Sequence, residues 1–109
     1  MTPNGLQVCR RVCYIWVMEA NEVMKFTASY LAQAGGVRAG MCWTLAWNVR
    51  DQFGWPLVEG SYNGTPHAWN IAPDGSIFDG TAGQFSDGHG PRFVDSDDPR
   101  YIPKIGATS

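Results

Sequence analysis

The sequence predicts an α+β domain, a small antiparallel sheet packed on a central cysteine-bearing helix. Three observations lead there. Residues 21–34 and 40–53 carry apolar side chains at helical spacing, and each run is ended by glycine. After residue 56 the texture changes to short runs rich in β-branched and aromatic types. Those runs are separated by Asn63-Gly64 and Pro73-Asp74-Gly75, which are hairpin signals because such tight turns need a positive φ. With 109 residues, 44% hydrophobic and 17% charged, the chain makes one domain with a small core and is too apolar for disorder over most of its length.

Taken in order, residues 1–5 read as a frayed end. Val12 to Met18 fits either a buried strand or part of a helix starting near Leu6, because a short apolar run does not settle its period. Asn21 reads as the N-cap of a helix, with Glu22 in its first turn favouring the dipole. Val23, Met24, Phe26, Thr27, Tyr30 and Leu31 form its apolar stripe, and Gly35-Gly36 stops it. Gly40-Met41-Cys42 opens a second helix, whose Trp43, Leu45, Ala46, Trp47, Val49 and Phe53 suit a central position. Gly54 and Pro56 end it. Leu57-Val58 begins the first strand. A hairpin from Tyr62 to Asp79 then places His67 on one strand and Asp79 at the end of the return strand. Residues 80–92 read as a long glycine-rich loop, Asp95 to Asp98 as a charged turn, and Pro99-Arg100-Tyr101 as a short helical turn.

A formal net charge of −2 argues against a nucleic-acid binder driven by phosphate neutralisation. The balance is uneven: residues 1–50 carry five bases and two acids (+3), residues 51–109 three bases and eight acids (−5). A solvated acidic tail is the simpler account of the second half, and an acidic rim for a cationic partner is the alternative. The run after Arg11 is too short to cross a bilayer, and Met1 to Gly5 lacks the look of a secretion signal. Three cysteines do not make a disulfide framework, so a reducing, cytoplasmic setting is expected. Cys9 and Cys13 are four residues apart, with no second Cys or His pair at a metal-like spacing, so neither a metal nor another cofactor is implied. Five Trp, four Tyr and five Phe exceed what so small a core needs and leave some for a cleft or an interface. Oligomeric state is left open.

The chemistry concentrates on three residues. Cys42 opens a helix, where free N–H groups and the dipole favour thiolate. His67 is placed to take the thiol proton and return it to a leaving amine. Asp79, across the hairpin, is placed to hold the imidazole in the right tautomer. Each has an ordinary structural role as well: a core cysteine, a structural histidine, a turn aspartate. The order Cys, His, Asp on a helix and two adjacent strands favours the site. Trp43, Trp69 and Gln84 are the candidate substrate-binding residues, and Thr81, Gln84 and Phe85 also fit a supporting role behind Asp79. His89 reads as solvated.

That order resembles the transglutaminase-like and papain-like cysteine superfamily, in which a helix-borne Cys precedes a strand-borne His and then an Asp or Asn. His67-Ala68-Trp69, Asp74-Gly75-Ser76-Ile77-Phe78-Asp79-Gly80-Thr81-Ala82 and Gln84-Phe85 also look like a motif of small bacterial and phage proteins, with Cys42-Trp43-Thr44-Leu45-Ala46 upstream. The resemblance covers roughly residues 40–86. It implies a papain-like or transglutaminase-like fold, with Cys42 as nucleophile, His67 as base and Asp79 as its orienter. The activity implied is thiol-dependent amide hydrolysis or acyl transfer, of deamidase, peptidase or transglutaminase type, on a protein or small amide substrate. Gln33 has the right type for an oxyanion-hole side chain. A non-catalytic binding or inhibitor module on the same scaffold, such as a phage protein acting on a host protein, is the rival expectation. A metal site built from Cys42, His67 and Asp79 is a third.

Overall fold

The computed structural model describes the backbone of residues 3–36, 40–85 and 90–108, with side chains over 18–36, 40–85 and 90–104. Two helices, α1 (Pro3–Ala34) and α2 (Met41–Phe53), precede five strands: β1 (Leu57–Tyr62), β2 (Thr65–Ile71), β3 (Ile77–Asp79), β4 (Arg92–Val94) and β5 (Tyr101–Thr108). The strands form one sheet in the order β4-β3-β2-β1-β5, with every pairing antiparallel. The α+β architecture expected from the sequence is present.

Helix α1 corrects two local expectations and decides a third. Residues 3–5 are helical and Asn21 is an exposed mid-helix residue, not a cap, while Val12–Met18 takes the helical of its two readings. No glycine or proline falls between Leu6 and Ala34, so nothing forces a break, and a cap residue without a break is simply carried through. The predicted stop is right. Gly36 N–H bonds the Leu31 carbonyl at 2.9 Å with Gly35 at φ 78, a left-handed cap that β-carbon-bearing residues adopt at a cost. The predicted stripe is core: Val23 and Thr27 are buried, and Met24, Phe26, Tyr30 and Leu31 pack against Leu45, Val49, Trp55, Ala72 and Phe78. Trp55 Nε1 donates to Glu19 and ties α1 to the start of the sheet.

The Asn63-Gly64 turn has both residues at positive φ (47 and 85), and it sets the β1–β2 register, Tyr62↔Thr65 through Leu57↔Asn70. Alternation along β2 then divides its side chains. Ala68 and Asn70 face α2: Ala68 packs with Cys42, Ala46 and Leu57, and Asn70 Nδ2 donates to the carbonyls of Ala46 (2.8 Å) and Trp55 (3.1 Å). His67, Trp69 and Ile71 face the other way, where Trp69 joins Val58, Tyr62, Ile77 and Tyr101 in a second cluster. That second face is concave. Strands β4 and β5 are opposite edges of the sheet, yet Arg92 of β4 reaches the hydroxyl of Tyr101 on β5.

The end of the chain departs from expectation at Tyr101. It starts β5 instead of ending a helical turn, and its N–H closes the preceding turn on Asp98. The stretch read as a long loop contains a short 3-10 turn, Ala82–Gln84, before β4 begins at Arg92. Gly60 sits where the β1–β5 register shifts. A β-carbon there would strike the Ile102 carbonyl and come within 2.6 Å of Trp69 Cη2 and 2.9 Å of Pro103 Cα. Because two of those three atoms are backbone, Gly60→Ala should destabilise the fold by ~1–3 kcal/mol. Chemical denaturation checks this: an unchanged midpoint would mean that β5 yields easily.

Candidate functional site

Helix α2 begins with Gly40 in the left-handed region (φ 84) and no side-chain cap, so its first-turn N–H groups are free for other partners. Cys42 sits in that turn and is 5% exposed. Its side chain faces Ala46, Leu57 and Ala68, while His67 is on the opposite face of β2. They nevertheless meet, because the sheet opens between β2 and β3. The only paired positions of those strands are Asn70↔Phe78 and Ile71↔Ile77. Ile71 N–H bonds the Pro56 carbonyl at 2.9 Å, so odd-numbered residues of β2 bond toward β1 and Ala68 N–H points toward the β3 side. The thiol occupies this opening, where it meets the His67 side chain and the N–H groups of Ala68 and Trp43.

His67 and Asp79 are both 0% exposed. Nε2 of His67 lies 3.0 Å from Asp79 Oδ1 and 2.9 Å from Oδ2. With Nε2 committed to the carboxylate, Nδ1 is the nitrogen left for the thiol. Asp79 takes two further donors, Thr81 N–H on Oδ1 (3.2 Å) and the Tyr101 hydroxyl on Oδ2 (2.6 Å). Gly80 lets the chain pass beneath α2 at this point, since a β-carbon would lie 2.6 Å from Leu45 Cδ2. Aromatic rings enclose the imidazole: Phe85 edge-on at 4.8 Å, and Tyr62, Trp69 and Tyr101 at 6.1–6.4 Å.

The electrostatics follow from this enclosure. Burial pushes the Cys42 thiol up. The bond to His67, the Ala68 and Trp43 N–H groups and the imidazole charge together outweigh it, so the thiol ionises below its ordinary range. Burial likewise disfavours charged His67, but its bonds to Asp79 and Cys42, and their charges, raise it to about 9. Both shifts describe one interaction, a proton shared between the Cys42 thiol and the His67 ring.

Of the residues singled out in the sequence, Cys42, His67 and Asp79 come together, and Gln84 joins them. Its side-chain amide lies 3.1 Å from His67 Nδ1. The two proposed tryptophans do not. Trp69 is 1% exposed and packs beneath the imidazole, because the β2 alternation turns it into the concave core; it offers a substrate no surface. Trp43 is 38% exposed but lines a groove of ≈ 500 Å³ with Thr44, Trp47, Arg50, Leu57 and Glu59. That groove shares Leu57 with the cluster that packs around Cys42. Gln33 is exposed in the last turn of α1, and no bond joins it to the site among the described residues. His89 and the side chains of Cys9 and Cys13 lie outside the described residues. No cluster of three or more metal-ligand side chains occurs among the described residues.

Sequence reasoning missed Tyr62, Arg92 and Tyr101. Arg92 Nη2 donates to the hydroxyls of Tyr62 (2.9 Å) and Tyr101 (3.1 Å), and Arg100 Nη1 to Tyr62 (3.3 Å). The alternation that places Tyr62 on the His67 face was a usable signal; nothing local marked Tyr101. No helix is long and apolar enough to cross a membrane among the described residues. The chain matches no known family model, no curated protein and no solved structure.

Gln84 and Cys42 compete for one nitrogen. Nδ1 has a single in-plane position, a lone pair or a proton. With Nε2 facing it, Gln84 takes the lone pair; turned over, its Oε1 would take the proton from the thiolate. Gln84→Ala should therefore raise the rate of Cys42 alkylation by iodoacetamide near neutral pH several-fold. A slower rate would mean that Gln84 supports the pair.

Proposed function

We propose that the chain is a thiol-dependent amide hydrolase or acyl transferase of the transglutaminase-like or papain-like kind, working in the cytoplasm. The observation that carries this reading is His67 itself: one ring nitrogen is held by a buried carboxylate, and the other faces a cysteine in the first turn of a helix. A thiolate so placed is a nucleophile at neutral pH, and an imidazolium beside it is an acid ready to protonate a leaving amine.

Cys42 sulfur bonds the carbonyl carbon of an amide, and N–H groups around the sulfur stabilise the oxyanion. The C–N bond breaks, and the Nδ1 proton goes to the departing ammonia or amine, leaving a thioester on Cys42. His67, now neutral, takes a proton from water, and the hydroxyl attacks the thioester to release the acid and restore the thiolate. An amine in place of water gives transfer. Asp79 keeps Nε2 protonated and the ring in plane throughout.

A second reading has its own support. Cys42 and His67 are almost wholly covered, whereas Trp43 and Trp47 expose 38% and 50% and line a groove with Arg50 and Glu59. A binding or inhibitor module would use that aromatic surface on a partner protein and leave the thiol idle.

Iodoacetamide labelling against pH separates the two. As an amidase, the protein should label at Cys42 near pH 7 in preference to Cys9 and Cys13. In His67→Ala the Cys42 midpoint should move up to the ordinary thiol range, about 8.5, with at least a ~10-fold fall in rate at neutral pH. Equal, sluggish labelling of all three cysteines would sink the catalytic reading. On the catalytic reading, ammonia release from a carboxamide substrate should also fall as pH rises through about 9, because His67 then loses the proton it delivers, while alkylation of the thiolate persists.

A further inference from the structure

The residue pattern that pointed to Cys42, His67 and Asp79 ends at Phe85, but the shortest contact to Asp79 comes from beyond it. Tyr101, on the first position of β5, places its hydroxyl 2.6 Å from Asp79 Oδ2, the same oxygen that stands 2.9 Å from His67 Nε2. The phenol is 4% exposed, and its direction of donation is fixed. Arg92 Nη2 and Nε point at the same hydroxyl at 3.1 and 3.3 Å, and a guanidinium only donates. Arg92 therefore takes the lone pairs of the phenol, and its one proton is left for Asp79.

We propose that Tyr101 is a positioning residue of the site, sharing the charge of Asp79 Oδ2 with His67 and so setting how tightly the imidazolium proton is held. A hydrogen bond to an ionised acceptor in a dry site is a strong one. With it in place, Oδ2 divides its negative charge between the phenol and the imidazole. Without it, the same carboxylate faces His67 with more charge, and the imidazolium becomes a weaker acid. A thiol amidase needs that acid to give its proton up to a leaving amine, so the phenol keeps the ring usable as well as oriented. Burial and the Asp79 charge in turn hold the Tyr101 hydroxyl protonated, well above the ordinary phenol range.

Tyr62 provides an internal control. Its hydroxyl accepts from the same Arg92 at 2.9 Å and from Arg100 at 3.3 Å, and its ring stands on the same face, 6.1 Å from His67. Its hydroxyl thus shares the arginines with Tyr101, whose own proton goes to Asp79 Oδ2. Removing either hydroxyl costs an arginine contact within one network, and removing the Tyr101 hydroxyl also takes away the 2.6 Å bond to Asp79 Oδ2.

The test is the titration of His67, followed by ring nitrogen-15 NMR in the wild-type chain, Tyr101→Phe and Tyr62→Phe. The only other histidine is His89, so assignment is direct. Tyr101→Phe should move the His67 midpoint upward by about half a unit or more, a ~3-fold change in proton affinity, while Tyr62→Phe leaves it in place. Thermal unfolding of both variants shows how far each loses stability. An unmoved His67 midpoint in a folded Tyr101→Phe, or equal shifts in the two variants, would overturn the proposal and leave Tyr101 as packing. The readout needs no substrate, so it stands or falls separately from the amide chemistry.

Discussion

The structure depends on one buried ionic contact, His67 with Asp79. Neither side chain touches solvent, and a carboxylate in such a place is costly unless its oxygens are filled. Asp79 fills them from three directions: the imidazole across the hairpin, the Thr81 N–H from its own chain, and the Tyr101 hydroxyl from the far strand. Those partners come from β2, the segment after β3, and β5. Satisfying one carboxylate therefore requires the sheet to curl until its edges come near each other, and Arg92, bridging Tyr62 and Tyr101, closes the gap.

The same curl explains how a helix on one face serves a histidine on the other. β2 and β3 are paired at two positions and then part, and the amino end of α2 fills the opening. Asn70 holds α2 at that height through the Ala46 and Trp55 carbonyls, and the close passage of Gly80 under Leu45 holds it at that depth. Cys42 is thus positioned by side chains and backbone of three elements before any substrate is considered. Such preorganisation is what the proposed thiol chemistry requires.

Much of this was legible in the sequence where the signal was local. Asn63-Gly64 and Pro73-Asp74-Gly75 announced the hairpins, Gly35-Gly36 and Gly54 the helix ends, and hairpin register put His67 and Asp79 on one face. What stayed hidden was either continuous or distant. Asn21 has the chemistry of a cap, but capping needs a chain entry, and the uninterrupted run from Leu6 supplied none. Tyr101 sits in Asp-Asp-Pro-Arg-Tyr, where turn-forming residues mask the start of a strand, and its partner Asp79 lies 22 residues away. Trp69 was placed on the correct face but assigned to substrate, because alternation gives direction without telling whether that direction is core or cleft.

The exposed aromatic groove and the covered cysteine pull toward different functions, and what separates them is the ionisation of Cys42. An idle core cysteine has no reason to be a thiolate; one that shares a proton with His67 does. The ultraviolet absorbance of the thiolate reads this directly, as the difference between the wild-type chain and Cys42→Ser followed through pH. The account predicts a thiolate signal already present near neutral pH, well below the ordinary midpoint of about 8.5, that moves up to that range in His67→Ala. A Cys42 signal that emerges only in the ordinary range, with or without His67, would contradict it.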